Sequence, residues 1–185
     1  MHPVLCRLCG EPAPLVSSHI FPEFFYASLY GEANAYLSVS NDPRHRPTQR
    51  RQRGLTERLL CAACDGKIGR YESYAASLLR RVDSIPLGPG GGVVVEGVDL
   101  FTFRLFGLSL LWRAHESTAP MFAAVQLGVR GERLRAKLQT GDPGAAHEFG
   151  FAIGKVTGLD MRGHLIKAPM SGESSQPMGG RRSSR

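Results

Sequence analysis

The chain contains Cys6-Arg-Leu-Cys9 near its start and Cys61-Ala-Ala-Cys64 further along, and these two pairs account for all four of its cysteines. A short turn within each pair directs both sulfurs toward one ion, and two such pairs complete the tetrahedral thiolate set that zinc prefers. Gly10, directly after the first pair, suits the tight turn that this arrangement needs. We therefore predict one structural zinc bound by the four cysteines. The alternatives are a redox dithiol, which is normally a single motif, and buried free cysteines.

The composition is that of a globular protein. Hydrophobic residues make up 42% of the chain and charged residues 21%, so the apolar content is sufficient for a core, while 22 glycines and 12 prolines indicate many turns. The N-terminal residues show no charged and apolar export leader, and the longest apolar block is too short to span a bilayer. We expect a cytoplasmic protein, in which paired cysteines bind metal rather than form disulfides.

The formal net charge is +7, and the excess is concentrated in one part of the chain. Residues 44–81 contain ten arginines and lysines against three acidic residues. A basic field of this kind favours a polyanionic partner, because neutralised phosphates release their counterions. The predicted nucleic-acid-binding residues are Arg44, Arg46, Arg50, Arg51 and Arg53. The alternative is a solvated loop that the arginines keep soluble.

Hydrophobic spacing predicts a mixture of helices and strands, and therefore the α+β class. In the first half we expect a strand ending at His19, a helix over 22–30, a strand at 35–39 within an irregular loop over 31–53, and a helix over 61–82. In the second half we expect a buried helix over 100–115, a helix over 119–138 that Gly128 and Gly131 interrupt, and a strand over 149–156. Arg104 and Arg113 bracket the apolar middle of the first of these helices, and Trp112 is expected in the core.

Glycine and proline content predicts the domain boundaries. Residues 1–86 form a zinc-binding module with a basic insert, 87–92 a Gly/Pro linker, 93–167 a mixed helix/strand C-terminal region, and 168–185 a disordered tail. For the C-terminal region three roles stay open: a target-recognition domain, a dimer interface, or a helical brace for the zinc module.

Residues 6–72 resemble the HNH endonuclease family. The resemblance rests on the two cysteine pairs, on Ser18-His19-Ile-Phe-Pro22, and on Leu59-Leu60-Cys61 with the Asp65-Gly-Lys67 that follows the second pair. It implies a small treble-clef (ββα-metal) module in which a turn and a helix share the zinc. It also implies hydrolysis of nucleic-acid phosphodiesters, with DNA as the expected substrate, and Mg²⁺ or Mn²⁺ as a second cation.

The resemblance makes His19 the general base and Asp65 a ligand of the catalytic cation. Ser18 stands where the family has Asp, Asp65 stands where it has His or Asn, and Thr56 lies near the position of a family Asn. Glu57 or Glu72 is the candidate for a further oxygen ligand. Each residue also has a structural interpretation, because His19 can be a hydrogen-bonded strand residue and Asp65 can favour the helix N-terminus.

Two hypotheses of function follow. The first is an HNH-like, metal-dependent nuclease with a structural zinc. The second is a non-catalytic zinc-binding module that binds nucleic acid or a protein partner. A second cation site beside His19 distinguishes them, because binding needs only a basic surface while the proposed cleavage needs a cation at the scissile phosphate.

Overall fold

The computed structural model describes residues 4–27, 29–30, 35–39, 48–83, 85, 95–151 and 153. The fold is α+β with very small sheets. In chain order the elements are β1 (Leu15–His19), α1 (Phe24–Ala27), β2 (Tyr36–Val39), β3 (Thr48–Arg51), β4 (Thr56–Cys61), α2 (Ala62–Asp83), α3 (Leu100–Glu116), a 3-10 turn (Pro120–Phe122) and α4 (Val129–Thr140).

Strands β1 and β4 form an antiparallel pair, and α2 follows β4 without a loop. In the register Leu15 lies opposite Cys61 and His19 opposite Thr56, with an irregularity between Val16 and Ser18. As predicted, His19 is the last residue of its strand. The register therefore places the start of β1 next to the second cysteine pair and His19 at the opposite end of the strand pair.

The first cysteine pair lies in a turn attached to β4. The Gly10 N–H donates to the Cys6 carbonyl at 2.8 Å, and Gly10 has a φ of 80°, a left-handed conformation that favours glycine. The Arg7 N–H donates to the Leu59 carbonyl at 2.9 Å. The turn therefore adds to the edge of β4, close to the second cysteine pair.

Strands β2 and β3, called the basic hairpin below, lie in the segment predicted as an irregular loop. Strand β2 confirms the prediction for 35–39, but β3 occupies part of the expected loop and pairs with β2 in antiparallel register. Thr48-Gln-Arg-Arg51 lacks the alternating apolar pattern by which strands are recognised, so only pairing with β2 reveals it. Arg44 and Arg46 lie outside the described residues.

The three long helices form the core with the β1–β4 pair. Helix α2 packs on α3 and α3 on α4, and the boundaries of α2 and α3 agree with the predicted helices to within one residue at each end. Trp112 is fully buried, as predicted. Among the buried apolar residues of the helices are Ile68, Tyr71, Ala75, Leu78, Leu105, Phe106, Leu108, Trp112, Leu134 and Leu138.

Several local predictions were wrong. The helix predicted over 22–30 is only Phe24–Ala27. Gly131 lies inside α4 rather than interrupting it. Glycine occupies this position because a Cβ there would meet the His115 ring at 2.5 Å. Residues 149–151 are not a strand, and Phe151 instead packs its ring on Phe103 with centroids 5.2 Å apart.

Segments on both sides of the expected linker, Met1–Pro86 and Val94–Phe151, belong to one compact unit. Of the other unit, Leu87–Val93 with Ala152–Arg185, the structure describes only Ile153. The expected linker at 87–92 and tail at 168–185 lie outside the described residues, so the division into domains stays a prediction. Among the helices that are described, none is long and apolar enough to cross a bilayer.

Candidate metal centre and the His19 site

The four cysteines come together in the fold. Cys6 and Cys9 lie in the N-terminal turn, Cys61 ends β4, and Cys64 lies in the first turn of α2. Their sulfurs all lie within 4.8 Å of one another, and Cys9 Sγ is 4.0 Å from Cys61 Sγ. Zinc–sulfur bonds of about 2.3 Å in a tetrahedron place sulfurs roughly 3.8 Å apart. The four thiols can therefore bind one metal ion, and the donor set is compatible with a structural zinc.

The surroundings of Cys6 favour the thiolate that a metal requires. Burial disfavours the charged form, but N–H groups of Cys61, Cys9 and Leu8 outweigh it and lower the pKa of the Cys6 thiol to about 7. The Cys61 N–H lies 3.3 Å from Cys6 Sγ. Cys64 differs, because burial and its contacts with the other three cysteine side chains raise its pKa. An ion at the centre would reverse that balance, since a coordinated thiol loses its proton.

Helix α4 contacts the turn that presents the first cysteine pair. Arg135 Nε donates to the carbonyls of Arg7 and Leu8 at 2.9 and 3.0 Å, and Gln139 Nε2 donates to the Leu8 carbonyl at 2.6 Å. Arg7 also forms an ion pair with Glu116, at the end of α3, at 3.1 Å. Among the three roles considered for the C-terminal region, these contacts support the helical brace.

His19 lies at a partly open position beside an acidic side chain. Its side chain is 32% exposed, and Nε2 lies 2.9 Å from Glu23 Oε2, close but without the alignment of a hydrogen bond. Glu23 also accepts from the Tyr30 hydroxyl and, at 3.4 Å, from the Gly54 N–H. The sequence analysis did not single out Glu23, although its spacing of four residues from His19 was a signal that could have found it.

The backbone of His19 is bound by a buried arginine. Arg113 of α3 is 2% exposed, and its Nη1 donates to the His19 carbonyl at 2.5 Å. Its Nη2 lies 2.6 Å from Glu72 Oε1, and burial lowers the pKa of this guanidinium while the Glu72 and Asp65 charges oppose that effect. Glu72 therefore balances an internal charge instead of facing an open cation site.

Glu57, the other candidate oxygen ligand, is also engaged in a structural contact. Its carboxylate accepts from the Ser117 hydroxyl, and from the N–H and hydroxyl of Thr118 at 3.0 and 3.1 Å. These hydrogen bonds fix the end of α3 and lower the pKa of Glu57 against the opposing effect of burial. Glu57 thus joins β4 to the segment that leaves α3.

Among the described residues, no cluster of three or more cation ligands forms beside His19. In the part of the chain that the structure describes, the four cysteines are the one group of three or more His, Cys, Asp or Glu side chains close enough to share an ion. Asp65 lies in the first turn of α2, and Ser18, in the family's Asp position, is buried with no partner for its hydroxyl. The expected Mg²⁺ or Mn²⁺ therefore stays a prediction from the resemblance.

The described arginines of the basic segment are exposed and adjoin the His19 site. Arg50 and Arg51 lie on β3, and the Arg53 carbonyl accepts from the Tyr36 hydroxyl at 3.2 Å. Gly54, which follows Arg53, reaches Glu23 through its N–H. The basic hairpin and Arg53 therefore lie within a few residues of Gly54, which contacts the Glu23 side chain beside His19.

The chain matches no protein-family model, no curated protein and no solved structure. Its assignment to the HNH family stays a prediction from the sequence.

Proposed function

We propose that this protein is an HNH-like nuclease: a treble-clef module, held by a structural zinc, that hydrolyses nucleic-acid phosphodiesters with His19 as general base. The observation that carries the proposal is the position of His19. It ends a strand paired with β4, it is partly exposed, and its ring faces a carboxylate. A histidine whose second nitrogen faces a carboxylate is the arrangement that orients an imidazole for proton transfer.

In the proposed reaction, His19 accepts a proton from the water that attacks phosphorus. The water oxygen forms a bond to phosphorus while a bridging phosphorus–oxygen bond breaks, and the leaving oxygen takes its proton from solvent. Because Nε2 faces Glu23, Nδ1 is the nitrogen that receives the proton. Glu23 then stabilises the imidazolium electrostatically. The divalent cation that this cleavage needs is assigned no ligands among the described residues, because no group of three or more donors gathers beside His19 there.

The basic hairpin supports a polyanionic substrate. Arg50, Arg51 and Arg53 are exposed, and the chain carries a net charge of +7. Arginines on a hairpin beside the base can hold phosphates on either side of the scissile bond, which positions the substrate without reading its sequence. We therefore propose binding to the phosphate backbone, with DNA as the first substrate to test.

The second candidate is a zinc-held binding module without catalysis. A specific observation favours it: Glu57 and Glu72, the two candidates for a further cation ligand, are engaged by Thr118 and Arg113. A module of this kind needs the same fold and the same basic hairpin. It does not need His19.

Plasmid nicking by the zinc-loaded chain in the presence of Mg²⁺ or Mn²⁺ tests the two candidates. We compare the native protein with His19→Ala and Glu23→Gln, and use His147→Ala, an exposed histidine after α4, as the matched control. General base catalysis contributes about 100- to 10,000-fold, so we expect nicking to fall by at least about 100-fold in His19→Ala and to persist in His147→Ala. Equal nicking by His19→Ala and His147→Ala, or no nicking by the native chain, would favour the binding module.

Titration with a labelled duplex at several salt concentrations tests the basic hairpin. The variant Arg50→Ser/Arg51→Ser/Arg53→Ser is compared with Arg130→Ser/Arg133→Ser, whose arginines are equally exposed on α4. Each lost phosphate contact lowers the slope of log affinity against log salt by about 0.9 for duplex DNA. We expect the hairpin variant to lose affinity and slope, whereas equal changes in both variants would contradict this assignment.

A further inference from the structure

The arginine that binds the His19 backbone is buried in the core. Arg113 is 2% exposed, and its neighbours along α3 include the fully buried Trp112. A charge taken from water into the interior is costly unless good partners surround it, and a buried ion pair often contributes no more stability than apolar residues of similar size. Stability alone therefore gives a poor account of why a guanidinium occupies this position.

The geometry of the contacts indicates what the guanidinium does. Nε lies 3.3 Å from the Ser109 carbonyl in its own helix, while the two terminal nitrogens reach out to His19 and Glu72. One side chain thus joins α3 to the last residue of β1 and to the middle of α2. The ion pair with Glu72 orients the planar guanidinium of Arg113. The oriented guanidinium holds the backbone carbonyl of His19, the proposed base.

Holding that carbonyl matters because His19 is at a strand end. It is the last residue of β1, opposite Thr56, and the register of the pairing with β4 shifts just before it, between Val16 and Ser18. A peptide plane that cannot rotate fixes the direction of the adjoining Cα–Cβ bond. The imidazole is then set by two contacts, the Arg113 hydrogen bond to its backbone and the Glu23 contact to its ring.

We propose that Arg113 is a positioning residue for His19, acting through the His19 carbonyl and oriented by Glu72. The proposal rests on the proposed role of His19 as general base. Arg113 does not touch the substrate, because its guanidinium is enclosed by the protein. Its effect is on the rate of the chemical step and not on the strength of substrate binding.

The test compares Arg113→Lys with Arg104→Lys in the full, zinc-loaded chain. Lysine keeps the charge but loses the planar guanidinium, in which one terminal nitrogen donates to the His19 carbonyl while the other forms the ion pair with Glu72. Arg104 is a matched control, because it lies on the same helix and also donates to backbone carbonyls, those of residues 143–145, away from His19. Two readouts are used: nicking kinetics well below the melting temperature, and the ring signals of His19 in a histidine-labelled NMR spectrum.

If the native chain nicks DNA, we expect Arg113→Lys to lower kcat by about 100-fold, the effect of a small misplacement of a catalytic group, with KM nearly unchanged. The ring signals of His19 shift in this variant and stay in place in Arg104→Lys. A purely structural role would lower the melting temperature of both variants, and Arg113→Lys and Arg104→Lys would then have the same kcat. That result would overturn the inference.

If the native chain does not nick DNA, the proposed function fails separately and the NMR signals decide the inference. Shifts of the His19 ring in Arg113→Lys and not in Arg104→Lys support positioning. Unshifted His19 signals overturn it. If Arg113→Lys does not fold, Glu72→Gln takes its place, since it leaves the arginine present and removes only the group that orients it.

Discussion

Removing the metal is the perturbation for which the structure gives the clearest expectation. The four thiols come from two segments that are distant in sequence, and an ion between them ties the N-terminal turn to the start of α2. We expect a chelator to unfold residues 6–82 of the zinc-loaded chain. The physical reason is that metal binding free energy is folding free energy when the site does not exist in the unfolded chain.

The magnitude follows from what else holds the turn. Burial of Leu8 contributes about 1.5–3 kcal/mol, and each hydrogen bond from Arg7, Arg135 and Gln139 about 0.5–1.5 kcal/mol net. A structural zinc contributes about 10–16 kcal/mol, whereas the net stability of a whole domain is about 5–15 kcal/mol. The ion therefore accounts for as much free energy as the entire folded state retains, and the contacts of the turn cannot replace it.

The assay is a thermal and chelator titration followed by far-UV circular dichroism, with hydrogen exchange to locate the loss. Cys9→Ser should behave like the chelated protein, while Ser77→Ala, an exposed position on α2, should behave like the native chain. Adding zinc back should restore the transition in the native chain. A metal-free protein that keeps its melting temperature and its amide protection in residues 6–82 would refute the reasoning.

Three further predictions concern stability. Gly10→Ala should lower the free energy of unfolding by about 1–2 kcal/mol, because alanine is strained at a φ of 80°; urea titration measures it, and an unchanged midpoint would contradict the turn geometry. Trp112→Ala should cost about 3–5 kcal/mol by opening a cavity in the core, again by urea titration; a loss below about 1 kcal/mol would contradict its complete burial. The pKa of Glu57 is lower in the folded chain than its ordinary value of 4.5. The ionised Glu57 therefore contributes fully to the free energy of unfolding above pH 4.5, and this contribution is lost as the pH falls through the folded pKa. Glu57→Gln should therefore flatten the acid limb of the stability profile, and an acid limb identical to that of exposed Glu96→Gln would argue against this account.

Much of the fold could be predicted because its signals are local. The apolar residues of α2 and α3 recur at helical spacing, and that period shows where a helix runs and which face it buries. The two cysteine pairs could be recognised equally well, because each Cys-x-x-Cys motif is contained in four consecutive residues. Strand β3 was missed for the converse reason: its pairing with β2 supplies backbone hydrogen bonds that leave no trace in the side-chain pattern.

The sequence by itself determined the α+β class, the two cysteine pairs that are able to share a metal ion, and His19 at a strand end. Only the tertiary structure decided which groups surround His19. Arg113 lies 94 residues away along the chain, and Glu72, a candidate cation ligand by sequence, proved to be its partner. The physical reason is that a local pattern records whether a residue is buried, whereas the partner of a buried charge depends on how separate helices and strands pack, which no short stretch of sequence contains.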